Sequence, residues 1–498
     1  MNLVVSYDDL MRESHPIDLS AFPPPPIVKL KDMSIDTVLI SDGKPRATIV
    51  IDGNGKYAML AERIQGGIKE ATGTELPIMR DSQIQLPFQE NLIILGNRCT
   101  NAVIEKLYNL YYAYLDLRYP GIGGYEVRSL HNPFGNGFNA ILVGSSNDHG
   151  MSEAVDELMR IVSQAARTDS LVLGWVMRIR LGSGKVPPEN ANDCPSWEDC
   201  VGYKPGTYFG WNSISRNMAM YYMTADEKFA NEFLRLTQPD AKAIEEMWSL
   251  DGERIEDKNR PLSGPYHYNA HLMILLWDLI EESPLLTDEQ RLRITQAFAE
   301  QLRHWQAEEW CYAGKRFGDP KAVVGSRHDQ YQALSLYCLA RYFCKYYPHI
   351  VWQRNLEAAQ YLFSSLSRSA QLAGELDHLW WLSTGLEPVM SYMLIGDDSR
   401  ALESGVLQAV LRAYDAIISC EHDDEHLRYQ SISFAHKATY LIGDNRFLYY
   451  RNLTNLDLSI FRIGQSFLPV EDLERRPTEL ANRIVVAPIQ IERWHVHP

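Results

Sequence analysis

The stretch VVGSRHDQYQALSLYCLARYF, residues 323–343, decides the fold because its second half predicts a helix buried on nearly all sides. A helix at the surface would show a polar stripe instead. Five polar residues stand directly before this apolar part. Ser326 followed three positions later by Asp329 predicts a helix N-cap. A cap does not explain Arg327 and His328, which therefore become candidate site residues.

The same pattern recurs along the second half of the chain. Stretches that open with polar and aromatic residues and continue as an apolar helix begin at positions 211, 266, 326, 379 and 427. Most are followed by a more amphipathic helix, and a period of about fifty to sixty residues fits a helix pair. Buried first helices in five to six such hairpins predict a closed ring, an (α/α) toroid, over residues 205–455. The residues that open the repeats would then face one cavity.

The part before residue 205 has a different pattern. Residues 1–45 contain the run Pro23–Pro26 and predict an irregular segment. Over residues 46–168 short apolar runs (ATIVID, NLIILG, GYEVRSL, NAILVGS) alternate with helical stretches, among them TNAVIEKLYNLYYAYL, which predicts an α/β domain. Residues 169–204 are expected to be a linker, and residues 456–498 a C-terminal extension that could begin a β domain. The expected fold class is α+β multidomain, with an α/β sandwich-like domain before the toroid.

Composition excludes several classes of function. The chain has 498 residues, 45% hydrophobic and 22% charged, as globular proteins do, and its length predicts two or three domains. Its net charge of −16 argues against nucleic-acid and anionic-membrane partners. We find no apolar run long enough to span a bilayer and no signal peptide in the N-terminal sequence. The glycine-rich stretch at 135–150 lacks the GxGxxG order, so no nucleotide site is expected.

The repeat starts supply the residue types that sugar chemistry needs. Candidate catalytic residues are Tyr268, Asn269 and His271 in the second repeat and His328 in the third. Histidine and tyrosine can carry a proton, and amides and cations can neutralise a carboxylate. His267 is expected to share a helical face with His271. The candidate substrate-binding residues are Trp211, Asn212, Arg216, His267, Arg327, Asp329, Trp380, Trp381, Glu387, Tyr429 and Gln430.

Two stretches resemble known carbohydrate-active enzymes. Residues 120–158, PGIGGYEVRSLHNPFGNGFNAILVGSSNDHGMSEAVDEL, resemble the accessory α/β domain of α-glucuronidases. Residues 205–455 resemble the toroid of heparinase-type and alginate-type polysaccharide lyases, and FRIGQSFLP resembles their passage to a β-sandwich. The resemblance implies an extracytoplasmic protein in which an Asn-His pair neutralises a uronate while a tyrosine or histidine moves a proton. Asn269-Ala270-His271 departs from the adjacent pair of that family.

Three functions are compatible with these patterns. The first is a polysaccharide lyase that cleaves a uronic-acid polymer by β-elimination. The second is a toroid glycoside hydrolase, glucuronidase-like, that uses Asp329 and Glu387. The third is a non-catalytic glycan-binding protein. In each case the expected partner is a polysaccharide or oligosaccharide, with neither nucleic acid nor membrane.

No cofactor is expected to be required. His422 and His426 have the i, i+4 spacing of a helical metal site, although a charged loop such as EHDDEHLRY is more often a solvated surface. The seven cysteines show no zinc-site spacing along the sequence. Cys338 and Cys344 are expected to be buried thiols, and Cys194 and Cys200 could pair in an oxidising compartment.

Overall fold

The structure is a computed structural model that describes residues 17–191, 211–251, 259–308, 310–367, 379–420 and 432–444. Its architecture is mixed α/β, with a sheet region towards the N-terminus and a helical region after residue 211. None of the helices in these ranges is long and apolar enough to cross a membrane. The predicted C-terminal extension, residues 456–498, lies outside the described residues.

The sheet region contains two sheets and three helices. The larger sheet has the order β4-β3-β5-β7-β6-β9, in which β4, β3, β5 and β7 are parallel and β6 and β9 are antiparallel to their neighbours. The smaller sheet has the order β2-β1-β8. The strands are β1 Thr37–Ser41, β2 Lys44–Pro45, β3 Ala47–Ile51, β4 Ile78–Arg80, β5 Asn91–Leu95, β6 Tyr125–Leu130, β7 Ala140–Gly144, β8 Leu171–Leu173 and β9 Met177–Arg180, and the helices are α1 Ala58–Thr72, α2 Ala102–Asn109 and α3 Asp148–Ala165.

Three boundaries differ from the sequence predictions. β1 lies in the segment predicted as irregular, and β8 and β9 lie in the predicted linker. β1 and β8 pair with each other, with Thr37 opposite Leu173, and such a long-range pair leaves no trace in the local sequence. The helix predicted over residues 100–115 ends at Asn109, since Tyr111 adopts a left-handed backbone with φ 63°.

The larger sheet is buried on both faces. Ile49, Ile93 and Ile141 pack with α1 and α3 on one face. Val50 and Ile94, which alternate with them, join the core of the helical region on the other face. Strand residues alternate between faces, so this parallel sheet reads as an unbroken apolar run. One face of the larger sheet therefore belongs to the same hydrophobic core as the helical region. Its other face packs with α1 and α3 in a separate core.

In the helical region the structure describes the first helix of each of the five predicted repeats, while the second helix of the fifth repeat lies outside the described residues. Helices α4 Ser213–Thr224, α7 Ala270–Ile280, α9 Arg327–Tyr346, α11 Leu379–Ile395 and α14 Ile432–Ile442 are the first helices of the five repeats. The other helices are α5 Glu227–Thr237, α6 Ala241–Asp251, α8 Asp288–Ala307, α10 Ile350–Phe363, α12 Arg400–Glu403 and α13 Val406–Cys420. Every residue of α7 is buried, as the apolar sequence predicts for a first helix.

The five first helices form a row in which α4 packs on α7, α7 on α9, α9 on α11, and α11 on α14. Within the described residues α4 and α14 share no extensive contact, so closure of the row into a ring stays a prediction. Both end helices contact the sheet region instead. The Tyr222 ring in α4 lies 5.1 Å from the Tyr114 ring, and the Tyr440 hydroxyl in α14 donates to Glu105 at 3.0 Å.

Buried charged side chains join the sheet region, and the segment 17–36 before it, to the C-terminal ends of α4 and α7. Arg128 in β6 lies 3.2 Å from Glu126 and donates to the Tyr222 carbonyl at the end of α4. Lys31 lies 2.8 Å from both Glu281 and Glu282, directly after α7. Buried charges need such partners, because leaving one unpaired costs several kcal/mol. These pairs fix where the helices end.

His131 lies between the segment before β1 and the larger sheet, so its protonation provides a pH test of this packing. Its ring stacks on Trp175, with Nε2 2.7 Å from the Ser129 hydroxyl and Nδ1 3.2 Å from the Ser34 carbonyl. Burial lowers the pKa of His131 to about 4. Between the ordinary pKa and this value the unfolded chain binds a proton that the folded protein does not, so stability falls as pH falls.

We expect His131 to lower the free energy of unfolding by about 2 kcal/mol between pH 7 and pH 5. Urea denaturation at a series of pH values measures this loss, and His131→Gln removes this part of it. His149→Gln, a change at an exposed histidine in the same region, serves as the control and should keep the wild-type slope. Equal slopes for wild type and His131→Gln would contradict the packing described.

Candidate active site

The starts of α7 and α9 meet at a pair of histidines. Nε2 of His267 lies 3.1 Å from Nδ1 of His328. Ser326 caps α9 by accepting from the Asp329 amide at 3.3 Å, as the sequence predicts, and this cap sets the direction of the first turn. The Ser335 hydroxyl donates to the His267 carbonyl at 2.7 Å and holds the segment before α7 against α9.

The predicted shared helical face of His267 and His271 is wrong. The helix α7 begins at Ala270, so His267 precedes it and the i, i+4 rule does not apply. His271 belongs to α7 itself, and its ring is 5.9 Å from that of Tyr331. Burial lowers the pKa of His271 to about 4, so this ring is neutral near pH 7.

A carboxylate completes a chain of three groups. Oε2 of Glu308 lies 3.3 Å from Nδ1 of His267, so Glu308, His267 and His328 follow one another in space. A carboxylate beside Nδ1 favours the tautomer of His267 that carries its proton on that nitrogen. Nε2 of His267 then accepts from Nδ1–H of His328, which leaves a lone pair on Nε2 of His328. This arrangement suits a proton acceptor.

Aromatic rings surround the histidine pair. The Tyr268 ring is 5.0 Å from the His328 ring and 4.8 Å from the Tyr331 ring, and both tyrosines are buried. The indole of Trp310 is 63% exposed, and its ring lies 5.1 Å from that of His328. The site thus has a buried aromatic floor and an exposed indole at its rim.

Below the tyrosines lies a buried ion pair. The Tyr331 hydroxyl donates to Oε2 of Glu387 at 3.2 Å, and the Ser391 hydroxyl donates to Oε1 at 2.9 Å. Lys437 in α14 donates to Glu387 and, at 2.7 Å, to Ser391. Contacts between side chains thus run from the histidine pair across α9 and α11 to α14.

His328 and Asp329 differ in their environment. Burial, together with neighbouring His267 and Arg327, lowers the pKa of His328 to about 3, so the imidazole is neutral near pH 7. Burial raises the pKa of Asp329, and Arg316, whose guanidinium is 2.8 Å away, opposes this effect. Its carboxylate also accepts from the Ser326 hydroxyl at 3.1 Å. Asp329 therefore holds the start of α9 in place.

The first repeat does not supply groups to this cluster in the contacts that the structure describes. Asn212 accepts from the Ser215 amide at 2.9 Å as the N-cap of α4, and its Nδ2 lies 3.4 Å from the sulfur of Met273. Arg216 is buried, with Nη2 3.4 Å from the Ser213 hydroxyl. Trp211 is buried too, as a core residue would be.

Of the remaining predicted residues, some lie within the described residues and others outside them. Asn269 is fully buried at the start of α7, and Arg327 is half-buried beside His328. The backbones of Trp380 and Trp381 belong to α11, but their side chains lie outside the described residues. The following residues also lie outside them: Cys194, Cys200, His422, His426, Tyr429 and Gln430.

Sequence reasoning missed the residues of the site that do not open a repeat. Glu308, Trp310 and Cys311 follow α8, the second helix of its pair, while Tyr331 and Lys437 lie within apolar helices. The donor atoms of His267, Glu308 and Cys311 lie within 4.8 Å of one another, so these three residues can hold a metal ion. Spacing along the sequence does not reveal this group, because the structure brings it together. Of the two cysteines in α9, Cys338 is buried and Cys344 half-buried.

Comparison with known proteins adds no name to these observations. No family model matches the chain, and no curated protein does so either. The function is therefore argued from the geometry of the site.

The ion pair of Lys437 and Glu387 should stabilise the site strongly. Lys437→Met leaves the buried carboxylate without this cation, and we expect the free energy of unfolding to fall by about 3 kcal/mol. The double variant Lys437→Met/Glu387→Gln should recover part of that loss because the charge itself is gone. Urea denaturation measures both.

The matched control is Lys106→Met, which removes an exposed ion pair with Asp397. Its cost should be below about 1 kcal/mol, because solvent screens an exposed pair. A loss in Lys437→Met no larger than that of the control would show that the buried pair contributes little.

Proposed function

We propose that this protein is a carbohydrate-active enzyme of the (α/α) toroid type that cleaves a uronic-acid polymer by β-elimination. The observation that carries the proposal is the chain from Glu308 through His267 to His328, set beside the exposed indole of Trp310. β-Elimination from a uronate requires a proton acceptor for C5, and an exposed aromatic face can stack on a sugar ring.

Three features support the toroid. The first helices of successive repeats pack side by side, and their polar starts supply the histidine pair. The two end helices of the row, α4 and α14, both contact the sheet region between residues 105 and 128. The sequence also resembles toroid lyases in residues 205–455, which we propose as the catalytic unit.

The proposed reaction uses one proton shuttle. Nε2 of His328 takes the C5 proton of the uronate, the electron pair forms the C4–C5 double bond, and the C4–O bond breaks. The imidazolium of His328 then returns the proton to the leaving oxygen, so no proton or electron is left over. Arg327, in the same first turn, supplies positive charge towards the substrate carboxylate. That carboxylate in turn favours the imidazolium and raises the pKa of His328 in the complex.

The arrangement favours elimination over hydrolysis. Hydrolysis needs two carboxyl groups that face one sugar. Asp329 is held by Arg316 and Ser326, whereas Glu387 is held by Lys437, Ser391 and Tyr331. Each carboxylate thus has a structural partner of its own, and the group beside the exposed indole is a histidine.

The reaction is tested by incubating the protein with alginate, glucuronan and glycosaminoglycan chains. We expect ultraviolet absorbance from the conjugated C4–C5 double bond with at least one of them. His328→Gln should lower the rate at least about 100-fold, because it removes the general base. His149→Gln is the matched control and should keep the wild-type rate. Chain cleavage without this absorbance would reject elimination, and binding without turnover would leave a glycan-binding protein.

The contribution of Trp310 to substrate binding is tested separately. Trp310→Ala should weaken affinity for an oligosaccharide of the cleaved polymer about fivefold, since an aromatic stacking contact contributes about 1 kcal/mol. Isothermal titration with His328→Gln as background avoids turnover. Trp248→Ala, at a tryptophan that is 40% exposed on α6, is the control and should leave affinity unchanged. Equal affinities of both variants would remove Trp310 from the binding surface.

A further inference from the structure

The turn after α8 brings three metal-binding residue types together. One ligand atom each of His267, Glu308 and Cys311 lies within 4.8 Å of the other two, and Nδ1 is the nitrogen of His267 that lies 3.3 Å from Glu308; His267 and Cys311 are buried. Cys311 carries a buried thiol whose Sγ lies 3.8 Å from the Glu308 carbonyl oxygen. We propose that these residues bind a transition-metal ion such as Zn²⁺, and that the bound ion turns Nε2 of His328 from a proton acceptor into a hydrogen-bond donor. The metal binding stands on its own, whereas the effect on His328 rests on the proposed function.

The distances fit a tetrahedral ion. Oε2 of Glu308 is 3.3 Å from Nδ1 of His267 and 3.9 Å from Sγ of Cys311. With ordinary zinc bond lengths, the edges of a tetrahedron measure about 3.4 Å between nitrogen and oxygen and about 3.6 Å between oxygen and sulfur. These two edges therefore need shifts of only a few tenths of an ångström, whereas the edge between His267 and Cys311, which lies within 4.8 Å, has to close to about 3.6 Å as the two side chains turn towards the ion. A fourth position is left for water.

The donor set selects the kind of metal. One thiolate and one imidazole favour Zn²⁺, Co²⁺ or Cu²⁺ over Mg²⁺ and Ca²⁺, which prefer oxygen ligands. Glu308 directly follows α8 and Cys311 lies three positions further on, so both ligands come from neighbouring positions of the chain. The Cys311 amide donates to the Glu308 carbonyl at 3.2 Å and closes that turn.

A metal ion on Nδ1 of His267 changes the proton positions along the histidine pair. A metal-bound histidine carries its proton on the other nitrogen, here Nε2, and donates it to Nδ1 of His328. His328 then carries its own proton on Nε2, which faces away from His267. Each histidine holds one proton before and after, so binding releases one proton, from the Cys311 thiol. The lone pair needed to accept the C5 proton is lost.

Cobalt binding tests the site without any substrate. The full chain is stripped with a chelator, dialysed and titrated with Co²⁺. We expect one ion per chain, with a thiolate-to-cobalt charge-transfer band in the near ultraviolet that Zn²⁺ abolishes. Cys311→Ser should lose this band, and Glu308→Gln should weaken binding at least tenfold. Cys99→Ser changes an exposed thiol elsewhere and should keep the band. A band that persists in Cys311→Ser, or the absence of any band, would overturn the site.

The effect on His328 is tested by the rate of elimination with and without Zn²⁺. Zn²⁺ should lower the wild-type rate at least tenfold, whereas the rate of Cys311→Ser, relative to its own zinc-free value, should change far less. Cobalt binding with an unchanged or increased rate would overturn the proposed switch but not the metal site. Cobalt binding in a protein that shows no elimination with any polymer would reject the proposed function and leave the metal site standing.

Discussion

The arrangement of the sheet region against the helical region depends on the contacts of one buried group, the guanidinium of Arg128. It lies 3.6 Å from the centre of the Tyr222 ring, pairs with Glu126 and donates to the carbonyl at the end of α4. A cation at a helix C-terminus meets the negative end of the helix dipole. Lys31 beside Glu281 and Glu282 serves α7 in a similar way. These contacts hold the C-terminal ends of α4 and α7. The candidate site residues lie at the opposite ends, where α7 and α9 begin.

The sequence predicted the parts of the site that depend on local patterns. The starts of all repeats were expected to converge, and the structure brings together those of the second and third repeats, in His267, Tyr268 and His328. The cap formed by Ser326 was readable because capping acts over three residues. Glu308 and Trp310 were not readable in this way. They belong to a turn after a second helix, and only tertiary packing places that turn against the first helix of the next pair.

The difference between local patterns and tertiary packing also explains which strands could be predicted from the sequence. β3, β5 and β7 are apolar runs, β6 alternates polar with apolar residues, and all four were found from these patterns. β1 and β8 were missed because each is short and gains its stability from the other, far along the chain. A lone strand has no partner for its backbone groups, so its sequence need not show a strong strand signal. Lys437 was missed for a related reason, since a charged residue in an apolar helix is explained only by the carboxylate it meets.

His267 is the residue at which the two proposals meet. Its Nδ1 lies 3.3 Å from a carboxylate oxygen of Glu308, and its Nε2 lies 3.1 Å from His328. A proton or a metal ion can occupy Nδ1, but not both. Because an imidazole has only two nitrogens, the occupant of one sets the role of the other. In the two proposals the ring of His267 therefore couples metal occupancy to proton transfer at His328.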